Sequence, residues 1–458
     1  MFNLWPHQQQ ALDFLIPMLE TKGYAALFMG VGTGKTAVTL SYIDQELDHG
    51  PVLVITKQRP GYVWKRDVDK FFPGMSVIEA YSGTLAERVE LINSIADSKD
   101  RSKFLVVINY DILSYKGIQR ALDRVKWSMI VADEAQHLKS HKSAQSRYAH
   151  KLGKRGSPKR LALTATPFHN KPLDIFGVAR FLSDSIFGTG WTKFRYQYAT
   201  WYGPYGYVLG TYINQDDMRR RVDAFAFYID RKEVLDLPEV KHSIRWLELP
   251  PTEKKNYKEL EKESILELES GVITADNPLT SVLRLKQFTG GLMDASGVRH
   301  VTTNVKAQAV LELLDELPED EPVVIYYSFT AEADLIRQTL KEHKYICAEL
   351  SGKLDQRKEW ENGDYQVLLV QLAAGAEGID LYHAAYAVYY SLPWSYGQYE
   401  QSMGRLDRPG QERKVQFIYL LIRGTIDEDI RKSLKKKDAS AKDILDNMRS
   451  RYENIHNV

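Results

Sequence analysis

The feature that most constrains the fold is a repeated alternation of short apolar runs with helical segments. Tyr24–Met29, Val52–Ile55, Phe104–Ile108, Ser128–Ala132 and Leu161–Thr164 are runs of four to six residues, the length and composition of strands covered on both faces. Amphipathic stretches such as Lys35–Leu47 lie between them. The pattern returns in Val323–Tyr327, Tyr345–Glu349, Val367–Val370, Ala385–Tyr390 and Val415–Leu421. Strand–helix alternation implies a parallel sheet with helices on both sides, so the fold class is α/β, with one such domain towards each end. An N-terminal helix carries Ala11, Leu12, Leu15, Met18 and Leu19 on one face, and Pro17 is expected to kink it. The resulting division is 1–180 and 301–430 as two α/β lobes, 181–300 as a helical and aromatic insertion and linker, and 431–458 as a basic C-terminal helix or tail. Within the insertion, WYGPYGYVLGTY (201–212) reads as a hairpin.

Composition narrows the partners. In 458 residues, 61 Lys and Arg face 60 Asp and Glu, net +1, so a polyanion must be held by local patches rather than overall charge. The single cysteine, Cys347 in an apolar strand, excludes an intrachain disulfide and a cysteine-based zinc site. The histidines show no paired metal spacing, and no structural metal is expected. MFNLWPHQQQ lacks the features of a signal peptide, and no apolar run is long enough to span a bilayer. The expectation is a cytoplasmic protein with no membrane association.

Three groups carry chemistry. GVGTGKT (30–36) follows a strand and opens a helix, as a phosphate-binding loop does. Gly30, Val31, Gly32, Thr33 and Gly34 would wrap backbone N–H groups around phosphate oxygens. Lys35 would reach the β and γ phosphates, and the Thr36 hydroxyl would bind Mg²⁺. The strict pattern wants glycine at position 29, where this chain has Met29. WSMIVADEAQHL (127–138) ends a buried strand in two carboxylates. Asp133 is placed to hold Mg²⁺, and Glu134 to orient and deprotonate the attacking water. In QSMGRLDRPGQ (401–411), Arg405 and Arg408 are three apart and would share a helical face. Paired arginines suit the charge on a transferring phosphoryl group. ATP and Mg²⁺ are the implied ligands.

The order of these motifs resembles the superfamily-two helicases and translocases, and Arg405–Gln411 resembles their Swi/Snf-related branch. The resemblance implies two RecA-like parallel-sheet lobes of the P-loop NTPase fold, with ATP bound between them. It also implies that Gln8, in Leu4-Trp5-Pro6-His7-Gln8, reads adenine. Thr164 and Thr166, in Leu163–Pro167, together with Gln401, would couple hydrolysis to movement. Gly378 and Asp380, in Ala374–Leu381, would contribute to the nucleotide site. Trp64, ahead of Phe71-Phe72-Pro73-Gly74, fits the stretch after motif Ia. Thr56, Lys57, Asn109, Tyr110, Ser328 and Trp394 fall at or near motifs that line the family's nucleic-acid groove. The stretch from Lys193 to Phe225, followed by DRKEVLDLPEV (230–240), is similar to the annealing-helicase and fork-reversal branch. Met29 and Ser395 depart from the family pattern, and no appended module is evident, as in a minimal bacterial or phage motor.

No carboxylate occurs between Glu134 and Asp174, whereas Lys139, Lys142, Arg147, Lys151, Lys154, Arg155, Lys159 and Arg160 do. That asymmetry suggests a phosphate-backbone track. The aromatics of 191–207 are read mainly as the core of the insertion, with Tyr205 and Tyr207 at the hairpin tip as stacking groups for a DNA junction. The combined expectation is a monomeric, ATP-dependent DNA translocase remodelling duplex, forked or four-way branched DNA. An RNA helicase, a motor subunit of a restriction or defence complex, and a non-catalytic DNA-binding scaffold are its rivals.

Overall fold

The computed structural model describes residues 3–47, 50–98, 104–156, 158–165, 172–203, 208–234, 237–269, 278–295, 298–318, 320–375 and 379–436. Internal contacts divide the chain into two units, Met1–Asp236 and Leu237–Val458.

In the first unit the strands are β1 (Tyr24–Met29), β2 (Pro51–Thr56), β3 (Ser76–Glu79), β4 (Phe104–Asn109), β5 (Met129–Asp133), β6 (Lys159–Thr164), β7 (Ala199–Tyr202), β8 (Val208–Tyr212) and β9 (Ala226–Ile229). Seven of them form one sheet in the order β3-β4-β2-β5-β6-β1-β9, with every pairing parallel. Alternate side chains along each strand enter opposite cores, as the two-residue period requires. Leu53 and Ile55 face one core with Val106, Ile108 and Ile130. Val52 and Val54 face the other with Leu105, Val107 and Val131. The Pro6–Thr21, Lys35–Glu46 and Gln58–Phe71 helices cover that second face through Leu12, Leu15, Tyr42, Ile43, Trp64 and Val68. The first helix runs on through Pro17 to Thr21. Pro17 and Asp13 both lie on its exposed side, where water can satisfy the Asp13 carbonyl that proline, having no N–H, leaves without a helical donor.

The second unit contains β10 (Lys241–Leu247), β11 (Leu292–Ala295), β12 (Val298–Val301), β13 (Val323–Tyr327), β14 (Cys347–Leu350), β15 (Val367–Gln371), β16 (Tyr386–Tyr389) and β17 (Gln416–Ile422). Its main sheet runs β10-β17-β16-β13-β15-β14, again parallel throughout. The chain is therefore α/β, with two parallel sheets each buried on both faces.

The segment expected as one insertion is divided between the units. Ala226–Ile229 completes the first sheet beside β1, and Lys241–Leu247 the second beside β17. Neither of these edge strands, nor β3, was anticipated. Each is short or rich in polar residues, and the partners of β9 and β10 lie far away in sequence. The expected hairpin is present as the antiparallel pair β7–β8. The aromatics ahead of it pack together: Phe176, Phe187, Trp191, Phe194 and Tyr198 are in mutual ring contact at 4.7–5.7 Å. Among the described residues, no helix is long and apolar enough to cross a membrane.

Candidate nucleotide and nucleic-acid sites

Three strand ends meet in the first unit. The glycine loop follows β1, Asp133 ends β5, and Thr164 ends β6, which lies between those two strands. Gly32 and Gly34 have φ of 83° and 91°, left-handed values that let consecutive N–H groups turn inward. A side chain on Gly34 would also run into the Gln8 amide. That amide crosses the loop: Trp5 N–H donates to its Oε1 at 2.9 Å, and its Nε2 donates to the Thr33 carbonyl at 3.2 Å. Each end of Gln8 thus makes one bond within the chain, and each has the capacity for a second. The Thr33 hydroxyl donates to Gly30 O at 2.8 Å. Lys35, the first residue of the Lys35–Glu46 helix, folds its ammonium back onto Met29 O at 2.8 Å and Gly30 O at 3.2 Å. Thr36 follows it on the first helical turn, where backbone N–H groups have no intrahelical partner and favour anions.

Asp133 is held from several directions. Its Oδ2 accepts from Thr56 Oγ1 and Trp64 Nε1, both at 3.0 Å, and its Oδ1 accepts from Glu134 N–H at 3.0 Å. The Tyr110 hydroxyl donates to its backbone carbonyl at 2.8 Å. Burial, then the adjacent Glu134 carboxylate, raises its pKa, while the Trp64 bond, the Lys35 charge and the Thr56 bond pull it back. A carboxylate so fixed beside a lysine and a helix N-terminus fits a hydrated divalent cation, with Thr36 as the second protein ligand. Glu134 takes a left-handed backbone, φ 51° and ψ 52°, which turns its side chain away from the strand direction. Gln136 Nε2 donates to Glu134 Oε2 at 2.7 Å, and Thr164 Oγ1 donates to Gln136 Oε1 at 2.6 Å. Gln136 therefore wires the expected base to the expected coupling residue. Sequence reasoning missed this residue, although it stands in the same Asp-Glu-Ala-Gln run. It likewise gave Trp64 no part in the metal site.

Trp64→Phe keeps the ring in its pocket and deletes one of the two donors to Asp133 Oδ2. It should raise the Mg²⁺ concentration for half-maximal ATP hydrolysis by roughly tenfold or more, the usual cost of losing an outer-sphere partner. A Mg²⁺ titration beside the parent chain measures this, and an unchanged midpoint would refute it.

Comparison with known proteins identifies the family. Residues 7–290 match the SNF2-related domain, and residues 305–410 match the helicase conserved C-terminal domain. The chain belongs to the SNF2-related family. It is 24% identical to an uncharacterized ATP-dependent helicase of Mycoplasma genitalium, covering 97% of this chain and 42% of that protein. It is 24% identical to the putative ATP-dependent helicase/translocase YwqA of Bacillus subtilis, over 95% of this chain and 48% of that one. Putative protein p41 of Acyrthosiphon pisum secondary endosymbiont phage 1 is also 24% identical, over 98% and 99% of the two chains. The chain thus spans less than half the length of the first two of these relatives. Among solved structures, the Sulfolobus solfataricus SWI2/SNF2 ATPase core in complex with dsDNA aligns over 97% of this chain and 95% of that one, at 23% identity and a TM-score of 0.45.

In the second unit Arg405 and Arg408 do not share a helix. The Tyr396–Met403 helix, which carries Gln401, ends at Gly404, and both arginines lie in the turns beyond it. They converge all the same, because each donates through Nη1 to Ile379 O at 3.2 Å, and Arg408 also pairs with Asp380. Gly378 and Thr166 lie outside the described residues, as do Tyr205 and Tyr207 of the hairpin tip.

The nucleic-acid candidates are placed less uniformly. Thr56 and Tyr110, expected to line a groove, are buried at 0% and 5% exposure and spend their hydroxyls on Asp133. Their position beside the strand ends was legible, but the direction of their side chains was not. Asn109 is also buried and accepts from Arg88 Nη1 at 3.2 Å, while Lys57 is half-buried just after β2. The basic run is partly neutralised in space. Lys151 and Arg155 reach Asp123, and Lys154 pairs with Asp184. Lys159 donates to the Tyr42 hydroxyl at 2.7 Å, and Arg160 to Phe181 O at 3.4 Å. Lys139 is half-buried and its pKa is lowered by burial, whereas Lys142 and Arg147 are exposed. The carboxylates that answer the run come from neighbouring segments, which a linear charge count does not see. Ser328 and Trp394, both half-buried, sit just beyond β13 and β16.

Proposed function

We propose that this protein is an ATP-dependent DNA translocase that remodels forked or four-way branched duplexes in replication, recombination or repair. The observation that carries the reading is the hydrogen-bonded line Glu134–Gln136–Thr164 beside a carboxylate, Asp133, that is oriented by Trp64 and Thr56 at the mouth of a phosphate loop. Relatives named as ATP-dependent helicases and as a helicase/translocase support it.

In this reading the loop N–H groups and Lys35 bind and orient the ATP phosphates. Asp133 and Thr36 would hold Mg²⁺, which would neutralise phosphate charge when bound. Glu134 takes the proton of the attacking water. A change at Glu134 passes through Gln136 to Thr164, joining hydrolysis to the end of β6. Lys142 and Arg147, with Ser328 and Trp394, meet the DNA. The protein acts as a monomer in the cytoplasm of a bacterial or phage-infected cell; three of the relatives named above come from bacteria or a phage.

The test is the steady-state ATPase rate without nucleic acid and with single strand, linear duplex, four-way junction or RNA, using Lys35→Ala as the blank. Stimulation by duplex, and more by the junction, supports the reading. Stimulation by RNA alone would replace the substrate. The hairpin adds a separate expectation: replacing Tyr205 and Tyr207 with alanine should spare duplex-stimulated hydrolysis and cut junction affinity several-fold, since a base–aromatic stack contributes about 1–3 kcal/mol. Equal loss on linear duplex and junction would contradict the stacking role.

A further inference from the structure

The second unit buries a lysine that the mechanism above does not use. Lys286, on the Pro278–Thr289 helix, is 1% exposed. Its ammonium donates to Ser328 Oγ at 2.8 Å and to Leu392 O at 2.6 Å, and it lies 4.2 Å from the centre of the Trp394 ring and 5.6 Å from that of Phe329. Ser328 and Phe329 follow β13, and Leu392 and Trp394 follow β16. Those strands are paired neighbours, Tyr326 lying opposite Tyr389. One cation thus ties together two adjacent carboxyl ends of a parallel sheet, the edge at which such sheets meet their ligands.

We propose that Lys286 is a positioning residue that fixes Ser328 and Trp394 for contact with a DNA phosphodiester backbone. The inference rests on the function proposed above. Ser328, Phe329 and Trp394 are half-buried and form a thin roof over the ammonium, so the lysine never needs to touch DNA itself. Burying an ammonium is costly unless its hydrogens are satisfied and counter-charges lie near. Here one acceptor, Ser328 Oγ, belongs to the roof, and the other is the carbonyl of Leu392, two residues before Trp394. The lysine cannot leave without freeing Ser328 Oγ, opening Leu392 O and removing the cation beneath the indole face.

The charged groups around it come from three other helices: Glu332 of Thr330–Glu342, Lys306 of Val305–Glu316 and Asp427 of Ile426–Lys435. Glu332 is itself anchored to this corner, accepting from Ser328 N–H at 2.7 Å, Phe329 N–H at 3.2 Å and Ser391 Oγ at 2.6 Å. Burial lowers the Lys286 pKa to about 8; Glu332 and Asp427 oppose that shift and Lys306 adds to it. The tie is therefore charged below that pH, and it loses its charge, and with it the attraction to the Trp394 ring, as pH rises through it.

The experiment measures binding of a fluorescein-labelled linear duplex to the full chain by anisotropy, from about pH 6.5 to about pH 9.5 at fixed ionic strength. The parent Kd should rise about fivefold or more as pH passes the Lys286 transition. Lys286→Met should bind as weakly at low pH as the parent does at high pH, with the step gone. Lys286→Met combined with Trp394→Ala should lose no more than Trp394→Ala alone. A lysine that merely supports the fold would instead give additive losses and keep the pH step, which overturns the proposal. Should Lys286→Met not fold, Trp394→Ala serves by itself, because it too should abolish the step. A parent chain that binds duplex with pH-independent affinity refutes the inference and leaves the function standing. A parent chain that binds no duplex at any pH refutes the function as well.

Discussion

Glu134→Gln should lower DNA-stimulated ATP turnover by roughly two to four powers of ten, the range a positioned general base supplies. The change is nearly isosteric, and the left-handed backbone at this position, φ 51°, is no harder for glutamine than for glutamate. An amide oxygen can still accept from Gln136 Nε2, as Glu134 Oε2 does now at 2.7 Å. The phosphate loop, Lys35 and Asp133 are untouched, so ATP affinity should stay within about twofold. What disappears is the ability to take a proton from water. Single-turnover hydrolysis alongside equilibrium binding of a slowly hydrolysed ATP analogue separates the two quantities. Retained turnover would mean that another group acts as the base. A parallel loss of binding would mean that Glu134 holds the loop instead.

Lys306→Met should be the most destabilising single change outside the nucleotide site. Lys306 and Asp427 form a 2.8 Å ion pair whose side chains are 1% and 6% exposed. Lys306 also donates to Tyr390 O at 3.0 Å, while Asp427 accepts from Thr289 Oγ1 and from Ile422 N–H, both at 3.1 Å. Removing one partner strands the other charge in the core, at a cost of about 3–5 kcal/mol. Lys306→Met paired with Asp427→Leu should recover most of that loss, because the charge and its desolvation go together. Urea unfolding that follows the second unit reads both effects. If the double variant is no more stable than the single one, the pair is worth more than its desolvation cost, and the reasoning fails.

What could be read along the chain was local. The ten apolar runs all lie on strands of the two sheets, because a parallel strand buried on both faces must be apolar at nearly every position. The glycine loop was equally plain: its geometry depends on residues within seven positions, and left-handed glycines announce themselves. Asp133 and Glu134 stood out because two carboxylates at the end of an apolar strand have no packing reason to be there. The edge strands β3, β9 and β10 were hidden, since an edge is defined by its partner and not by its own sequence.

The candidate site divides in the same way. Sequence alone determined the phosphate loop, the acidic strand end and the paired arginines, each a short motif whose chemistry is set by neighbours in the chain. The tertiary structure decided how those groups are held. Trp64 and Thr56 reach Asp133 across 69 and 77 residues, and Lys286 reaches Ser328 and Leu392 across 42 and 106. Such bonds connect loops and helices that come together only once the sheet has formed, and they depend on the direction of single side chains. The same physics buried Thr56 and Tyr110 against Asp133, paired three of the eight residues of a basic run with carboxylates from other elements, and placed Arg405 and Arg408 in turns that meet at Ile379. A motif names the atoms a reaction needs; the packing of the fold determines which of them remain available.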